Sequence, residues 1–158
     1  MKIQIIQVGK NKDRYIEEGV REFVKRLQQF CNLEIVTLKS ASEGGKMPRA
    51  KVVAEETKKI MAALPRDCHL VVLDEKGREM ESREFSDFLG GFKDRGETLC
   101  FLIGGAFGLP ESLKEEASRT GTLLSFSKMT FTHQMIRLFL LEQIYRGFCI
   151  LNGKEYHY

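Results

Sequence analysis

Two short runs, residues 69–73 (HLVVL) and Leu99–Ile103 (LCFLI), limit the folds open to this chain more than any other feature. A strand with one face in water alternates apolar and polar side chains. An unbroken apolar run of this length predicts instead a strand buried on both faces, as in parallel sheets covered by helices. The segments around these runs have helical period. Over residues 12–30, Ile16, Val20, Phe23, Leu27 and Phe30 line one face, and Glu17, Glu18, Arg21, Glu22, Lys25 and Arg26 occupy the other. Further helices are predicted over 49–64, stopped by Pro65, over 82–93, over 110–118 with Pro110 at the first turn, and over 133–150. Residues 2–8, 33–38 and 122–126 complete the predicted strands. Strands alternating with helices predict an α/β fold, a mostly parallel sheet with helices on both faces. No repeat, low-complexity tract or linker interrupts the 158 residues, so one domain over 1–158 is expected.

Composition removes several function classes. Twenty-five Lys and Arg against 22 Asp and Glu leave a net charge of +3, too mild for gripping nucleic acid by bulk charge alone. The cysteines Cys31, Cys68, Cys100 and Cys149 are widely separated, in or beside apolar runs, and show no zinc-site spacing. They read as small core residues in a reducing compartment. The opening MKIQIIQVGK is too short an apolar run for a signal peptide, and no run of apolar residues is long enough to span a bilayer. A cytoplasmic protein is expected.

In open parallel sheets, ligands bind beyond the carboxyl ends of the strands. Three such ends stand out: Leu73-Asp74, Ile103-Gly104-Gly105 and Ser125-Phe126-Ser127. Glycines after a strand let backbone approach a ligand closely. The cluster Gly104-Gly105-Ala106-Phe107-Gly108 has neither the Rossmann spacing nor the Lys-Ser/Thr of a phosphate loop, so on local grounds a tight structural turn and a ligand site remain equally open. In residues 125–137 (SFSKMTFTHQMIR), polar residues interleave with Phe126, Met129 and Phe131. The segment is too irregular for one strand, and its unpaired backbone groups suit a loop wrapping an adenine-like ring. A connection packed on the core is the plainer alternative, and His133 alone reads as a capping or core histidine. The segment 39–48 (KSASEGGKMP) is a polar loop rich in turn residues.

The final helix carries Met135, Ile136, Leu138, Phe139, Leu140, Leu141, Ile144 and Phe148, apolar almost all round. One side can face the core while the other needs a cover, so a homodimer is expected. Glu142 and Arg146, four apart, suit a buried ion pair. The tail NGKEYHY either frays or stacks on a base through Tyr156, His157 and Tyr158.

The patterns LIGGAFGL at 102–109, SFSKMTFTHQMIR, LLEQIYRGF at 140–148 and the terminal YH, in that order, resemble the RlmH family over the full chain. These are the bacterial 23S rRNA (pseudouridine) N3-methyltransferases. The resemblance implies a SPOUT fold with a C-terminal trefoil knot, which no periodicity argument reaches and general folding rules disfavour. It implies a homodimer acting on 23S ribosomal RNA in the assembled ribosome, with no metal. S-adenosyl-L-methionine would be held by Leu73, Gly104, Gly105, Phe126, Ser127, Lys128, Met129, Thr130 and Phe131. The reaction implied is in-line displacement at the sulfonium methyl by N3, which must lose its imide proton with the reacting atoms about 3–3.5 Å apart. His157 would position or deprotonate the base, and Arg146 and Tyr156 would hold the base or its phosphate. Two departures are visible. Thr132 stands where the family has Pro, and can still cap the following helix; Gly147 stands where it has Ala. A non-catalytic ribosome-binding protein and a flavodoxin-like module are the competing readings, separated by calorimetry with S-adenosylmethionine and with FMN.

Overall fold

The computed structural model describes residues 1–42 and 47–156. Residues 43–46 of the predicted loop 39–48, and His157 and Tyr158, lie outside them. Ten elements alternate: β1 (Lys2–Val8), α1 (Arg14–Leu27), β2 (Asn32–Leu38), α2 (Arg49–Ala63), β3 (His69–Glu79), α3 (Ser82–Arg95), β4 (Leu99–Ile103), α4 (Glu111–Thr120), β5 (Thr122–Ser125) and α5 (Met135–Leu151). The strands form one sheet in the order β2-β1-β4-β3-β5, with every pairing parallel. The mostly parallel α/β sheet expected from the apolar runs is present.

Side-chain alternation assigns the two faces. Leu99, Phe101 and Ile103 of β4 point into a core shared with α1, α3 and α5. Cys100 and Leu102 point the other way, to Ile60 of α2 and Leu113 and Ala117 of α4. All five residues of β4 are buried, which explains its unbroken apolar run. Cys31, Cys100 and Cys149 are buried free thiols and Cys68 is half-buried. Among the described residues no helix is long and apolar enough to cross a membrane.

Strand β3 continues six residues past its apolar run, through Asp74–Glu79. Its pairing with β5 shifts register on the way: Leu73 and then Arg78 both lie opposite Leu124. The intervening backbone bulges around β5, and Gly77 sits at the crossing. A Cβ there would lie 2.5 Å from the Leu124 carbonyl carbon. Polar residues fill this extension because Glu75, Lys76, Arg78 and Glu79 are exposed to solvent.

Helix α5 lies between α1 and α3. At the α3 contact Ser86 Oγ donates to the Gly147 carbonyl at 2.9 Å, and a Cβ on Gly147 would come within 2.7 Å of Leu89 Cδ1. Much of the helix's all-round apolarity is thus satisfied inside the chain, and glycine at 147 tightens this packing instead of merely loosening the helix end.

Candidate functional site

Parallel strands place all their carboxyl ends at one edge, and the ends of β3, β4 and β5 open there on a cavity of about 520 Å³. Its walls are residues 73–75 after β3, the turn 103–109 after β4, residues 124–127 with 129–131 after β5, and His133 and Ile136 at the start of α5. Glu111 and Lys114 of α4 and Arg49 of α2 complete it.

The floor is the glycine turn. The Gly108 amide donates to the Gly105 carbonyl at 3.0 Å, and Gly108 has φ +76°, a left-handed conformation that favours glycine. A Cβ on Gly104 would meet Leu109 Cγ at 3.0 Å and the Gly108 carbonyl carbon at 3.1 Å. One on Gly105 would meet Glu56 Oε2 at 2.8 Å and Val8 Cγ1 at 3.1 Å. Gly104 is therefore required by close approach within the turn itself, and Gly105 by close approach to α2 and β1. Glu56 is 3% exposed, and its other oxygen accepts from Ser40 Oγ and the Ala41 amide at 2.7 and 3.0 Å.

The wall after β5 is irregular because its own hydroxyls replace ladder partners. The Ser127 amide donates to Ser125 Oγ at 3.2 Å, Ser125 Oγ donates back to the Ser127 carbonyl at 2.9 Å, and the Met129 amide donates to Ser127 Oγ at 2.9 Å. Thr130 Oγ1 donates to Glu75 Oε2 at 2.7 Å, tying this wall to β3. Helix α5 starts at Met135, two residues later than predicted, with Gln134 at its N-cap; Thr132 still braces its first turn, its hydroxyl accepting from the Met135 amide at 3.2 Å and its carbonyl from the Ile136 amide at 3.1 Å. Gln134 then accepts from the Lys12 amide at 2.6 Å and donates to Asp13 Oδ2 at 3.1 Å, which pins the start of α5 to the loop after β1.

Charges are paired at one end of the cavity. Lys114 Nζ lies 2.8 Å from Asp74 Oδ2 and 3.6 Å from Glu111 Oε2. Burial opposes ionisation of Asp74, but the Lys114 ammonium and the Lys76 amide outweigh it and hold the carboxyl below its usual range. Behind the other end, next to Ile136, Arg137 is 2% exposed; it donates to Asn11 Oδ1 at 2.7 Å and to the Val8 carbonyl at 2.5 Å, while its Nε has no partner among the described residues. Burial lowers its pKa to about 10. Beside it, His133 is held below the usual imidazole range by burial and by Arg137 and Lys12, with Glu56 opposing.

Of the residues expected at the site, Leu73, Gly104, Gly105, Phe126, Ser127, Met129, Thr130 and Phe131 all line this one cavity. Lys128 is exposed and outside the lining. Arg146 and Tyr156 come together elsewhere: Arg146 Nη1 donates to the Tyr156 carbonyl at 3.2 Å, and its guanidinium lies 5.0 Å from the Tyr156 ring centroid. Glu142 accepts from Arg146 Nη2 at 2.7 Å, so the expected pair forms, half-buried. Burial and the nearby Glu142 push the Tyr156 hydroxyl up, leaving it a hydrogen-bond donor. This cluster lies ten helical residues from Ile136, roughly 15 Å along α5. Sequence reasoning reached Asp74 as a strand end, missed Lys114 and Glu56, and took His133 for a cap or core residue when it faces the cavity.

Comparison with known proteins follows this geometry. The family model described as "Predicted SPOUT methyltransferase" matches residues 1–157. The chain is 38% identical over 159 residues to a Geotalea daltonii protein, with all of both chains covered. It is 40% identical over 159 residues to one from Trichlorobacter lovleyi, again with all of both covered. It is 39% identical over 161 residues to one from Clostridium botulinum, covering 99% of each. All three relatives are named "Ribosomal RNA large subunit methyltransferase H". The chain belongs to the SPOUT methyltransferases, and within them to the RlmH family of ribosomal RNA large subunit methyltransferases.

Proposed function

We propose that this protein transfers a methyl group from S-adenosyl-L-methionine to N3 of a pseudouridine in 23S ribosomal RNA, acting in the cytoplasm on the assembled ribosome. One observation carries the reading: eight of the nine residues that the family pattern assigns to the cofactor line a single cavity at the carboxyl ends of β3, β4 and β5. The cavity fits the group. About 520 Å³ suits a ligand of this size, and Gly104, Gly105 and Gly108 line it with bare backbone. Leu73, Ile103, Leu109, Leu124 and Phe126 offer an apolar slot for a purine, and the loop after β5 lies along its edge, its Ser127 and Met129 amides held in place by Ser125 and Ser127. When bound, the cofactor supplies an electrophilic sulfonium methyl.

The protein's own residues supply position. Walls tied by Thr130 to Glu75, and by Gln134 to the loop after β1, hold the donor pocket rigid. Arg146 and Tyr156 are the residues for gripping the target base or its phosphate, and His157 for orienting it. In one chain Arg146 and Tyr156 lie far from the cavity, so a homodimer that brings one subunit's tail to its partner's cavity reconciles the two halves. The apolar surface for such a dimer is beside the cavity: Met129 is 74% exposed and Phe131 38%, next to a smaller hollow lined by Met80, Phe126 and Phe139. The trefoil knot belongs to the same proposal, carried by membership of the family. Transfer of labelled methyl groups from S-adenosylmethionine to ribosomes lacking the modification tests the reading; folded protein that leaves those ribosomes unlabelled contradicts it.

A further inference from the structure

The chain has three histidines, and they divide by surroundings. His69 is structural: its Nε2 is hydrogen-bonded to Thr122 Oγ1 at 2.8 Å and its ring lies 4.6 Å from the Phe92 ring centroid. His157 lies outside the described residues. His133 is half-buried in the wall of the large cavity, at the turn where the loop after β5 enters α5.

The other proton acceptors around the cavity are already engaged. Asp74 is paired with Lys114, and Glu75 accepts from Thr130. Glu111 is mostly exposed, 3.6 Å from Lys114. A carboxylate with a pKa of about 4 is in any case a weak acceptor for an imide proton, whereas an imidazole near 6.5 is far closer to neutrality. We propose that His133 is the proton acceptor of the methyl transfer, contacting the imide edge of the target base across the cavity mouth. The inference rests on the reading of this cavity as the methyl-donor site. It leaves the tail residue His157 to orient the base.

The step balances. The N3–H bond breaks and its proton goes to a ring nitrogen of His133. The N3–C bond forms as the C–S bond breaks, and that electron pair stays on sulfur. The sulfonium loses its positive charge as the imidazole gains one, so the net charge within the cavity is unchanged. The imidazolium then returns its proton to solvent.

The groups facing His133 fit this assignment. Arg137 from α5 and Lys12 from the loop after β1 disfavour its protonation, and Glu56 from α2 favours it; burial adds to the former. Its ring is therefore neutral, ready to accept, at physiological pH. The buried Arg137 guanidinium is the stronger of the two cations and is fixed by Asn11 and Val8.

The test is the pH dependence of the single-turnover rate on ribosomes, for the full chain and three variants. The unmodified protein should lose activity on the acid side, with a midpoint below the usual imidazole range. His133→Gln should still bind S-adenosylmethionine, lose roughly 10²–10⁴-fold in rate, lose the acid limb, and recover partly at high pH where the imide ionises unaided. Lys12→Met removes a cation, so the limb should move up in pH, a shift that a merely structural histidine would not show. His157→Ala should keep the limb. A folded His133→Gln protein with the unmodified pH profile overturns the proposal, as does a Lys12→Met limb that stays in place. Should His133→Gln fail to fold, the Lys12→Met shift decides alone. Failure of the unmodified protein to bind S-adenosylmethionine overturns instead the donor-site reading on which the proposal stands.

Discussion

Glu56 shows what a single residue can hide. In KVVAEETKKI it reads as one more solvated charge, yet it is buried against the glycine turn with Ser40 and Ala41 as partners. A signal was available: Val52, Glu56 and Ile60 fall four apart, one stripe of α2, and both flanking residues are core. Arg137 gave a weaker signal, a cation inside an apolar helix, and its partners Asn11 and Val8 are over a hundred residues away. The glycines were legible, but their reason was not. The sequence left a tight turn and a ligand site equally open, and the structure shows that Gly104 is needed by its own turn at Leu109 and Gly108, beside the cavity. Gly104→Val should therefore reshape the turn as well as narrow the pocket. Calorimetry should show S-adenosylmethionine binding weakened tenfold or more, about 1.4 kcal/mol. Unchanged affinity in a folded variant would place the pocket elsewhere.

At the scale of elements, strands with unbroken apolar runs were readable almost to the residue, because burial on both faces leaves no polar position to blur them. Strand β3 was readable only in its first half. Its polar second half pairs with β5 across a register shift, and no periodicity marks such a bulge. Gly77, inconspicuous in DEKGRE, is where that crossing is tightest. Gly77→Ala should force the backbones of β3 and β5 apart and cost about 1–3 kcal/mol. For a chain of this size each kcal/mol lowers the melting temperature by roughly 2–4 °C. A melting temperature equal to that of the unmodified protein would show that the crossing is looser than the 2.5 Å approach requires.

At the scale of the whole molecule, the α/β class followed from the order of runs, but the strand order β2-β1-β4-β3-β5 did not. Which strand sits beside which depends on crossovers that leave no local trace. The expected dimer came from the apolarity of α5, and much of that apolarity is spent on α1 and α3. What still favours a dimer is spatial: the cavity lies at one end of α5 and the Arg146–Tyr156 cluster toward the other, with Met129 and Phe131 exposed beside the cavity. Light scattering at micromolar concentration should report about twice the chain mass of 18.1 kDa. A clean monomer would remove the route by which the tail reaches a cavity.

The most direct measurement of the central claim is methyl transfer mapped to an atom. Ribosomes lacking the modification would be incubated with the protein and labelled S-adenosylmethionine, and the 23S RNA digested and read by mass spectrometry. The account predicts one added methyl group, on N3 of a pseudouridine, and none when Gly104→Val protein is used at donor concentrations below its weakened affinity. Label on another atom or another RNA, or no label from protein that demonstrably binds the donor, would contradict it.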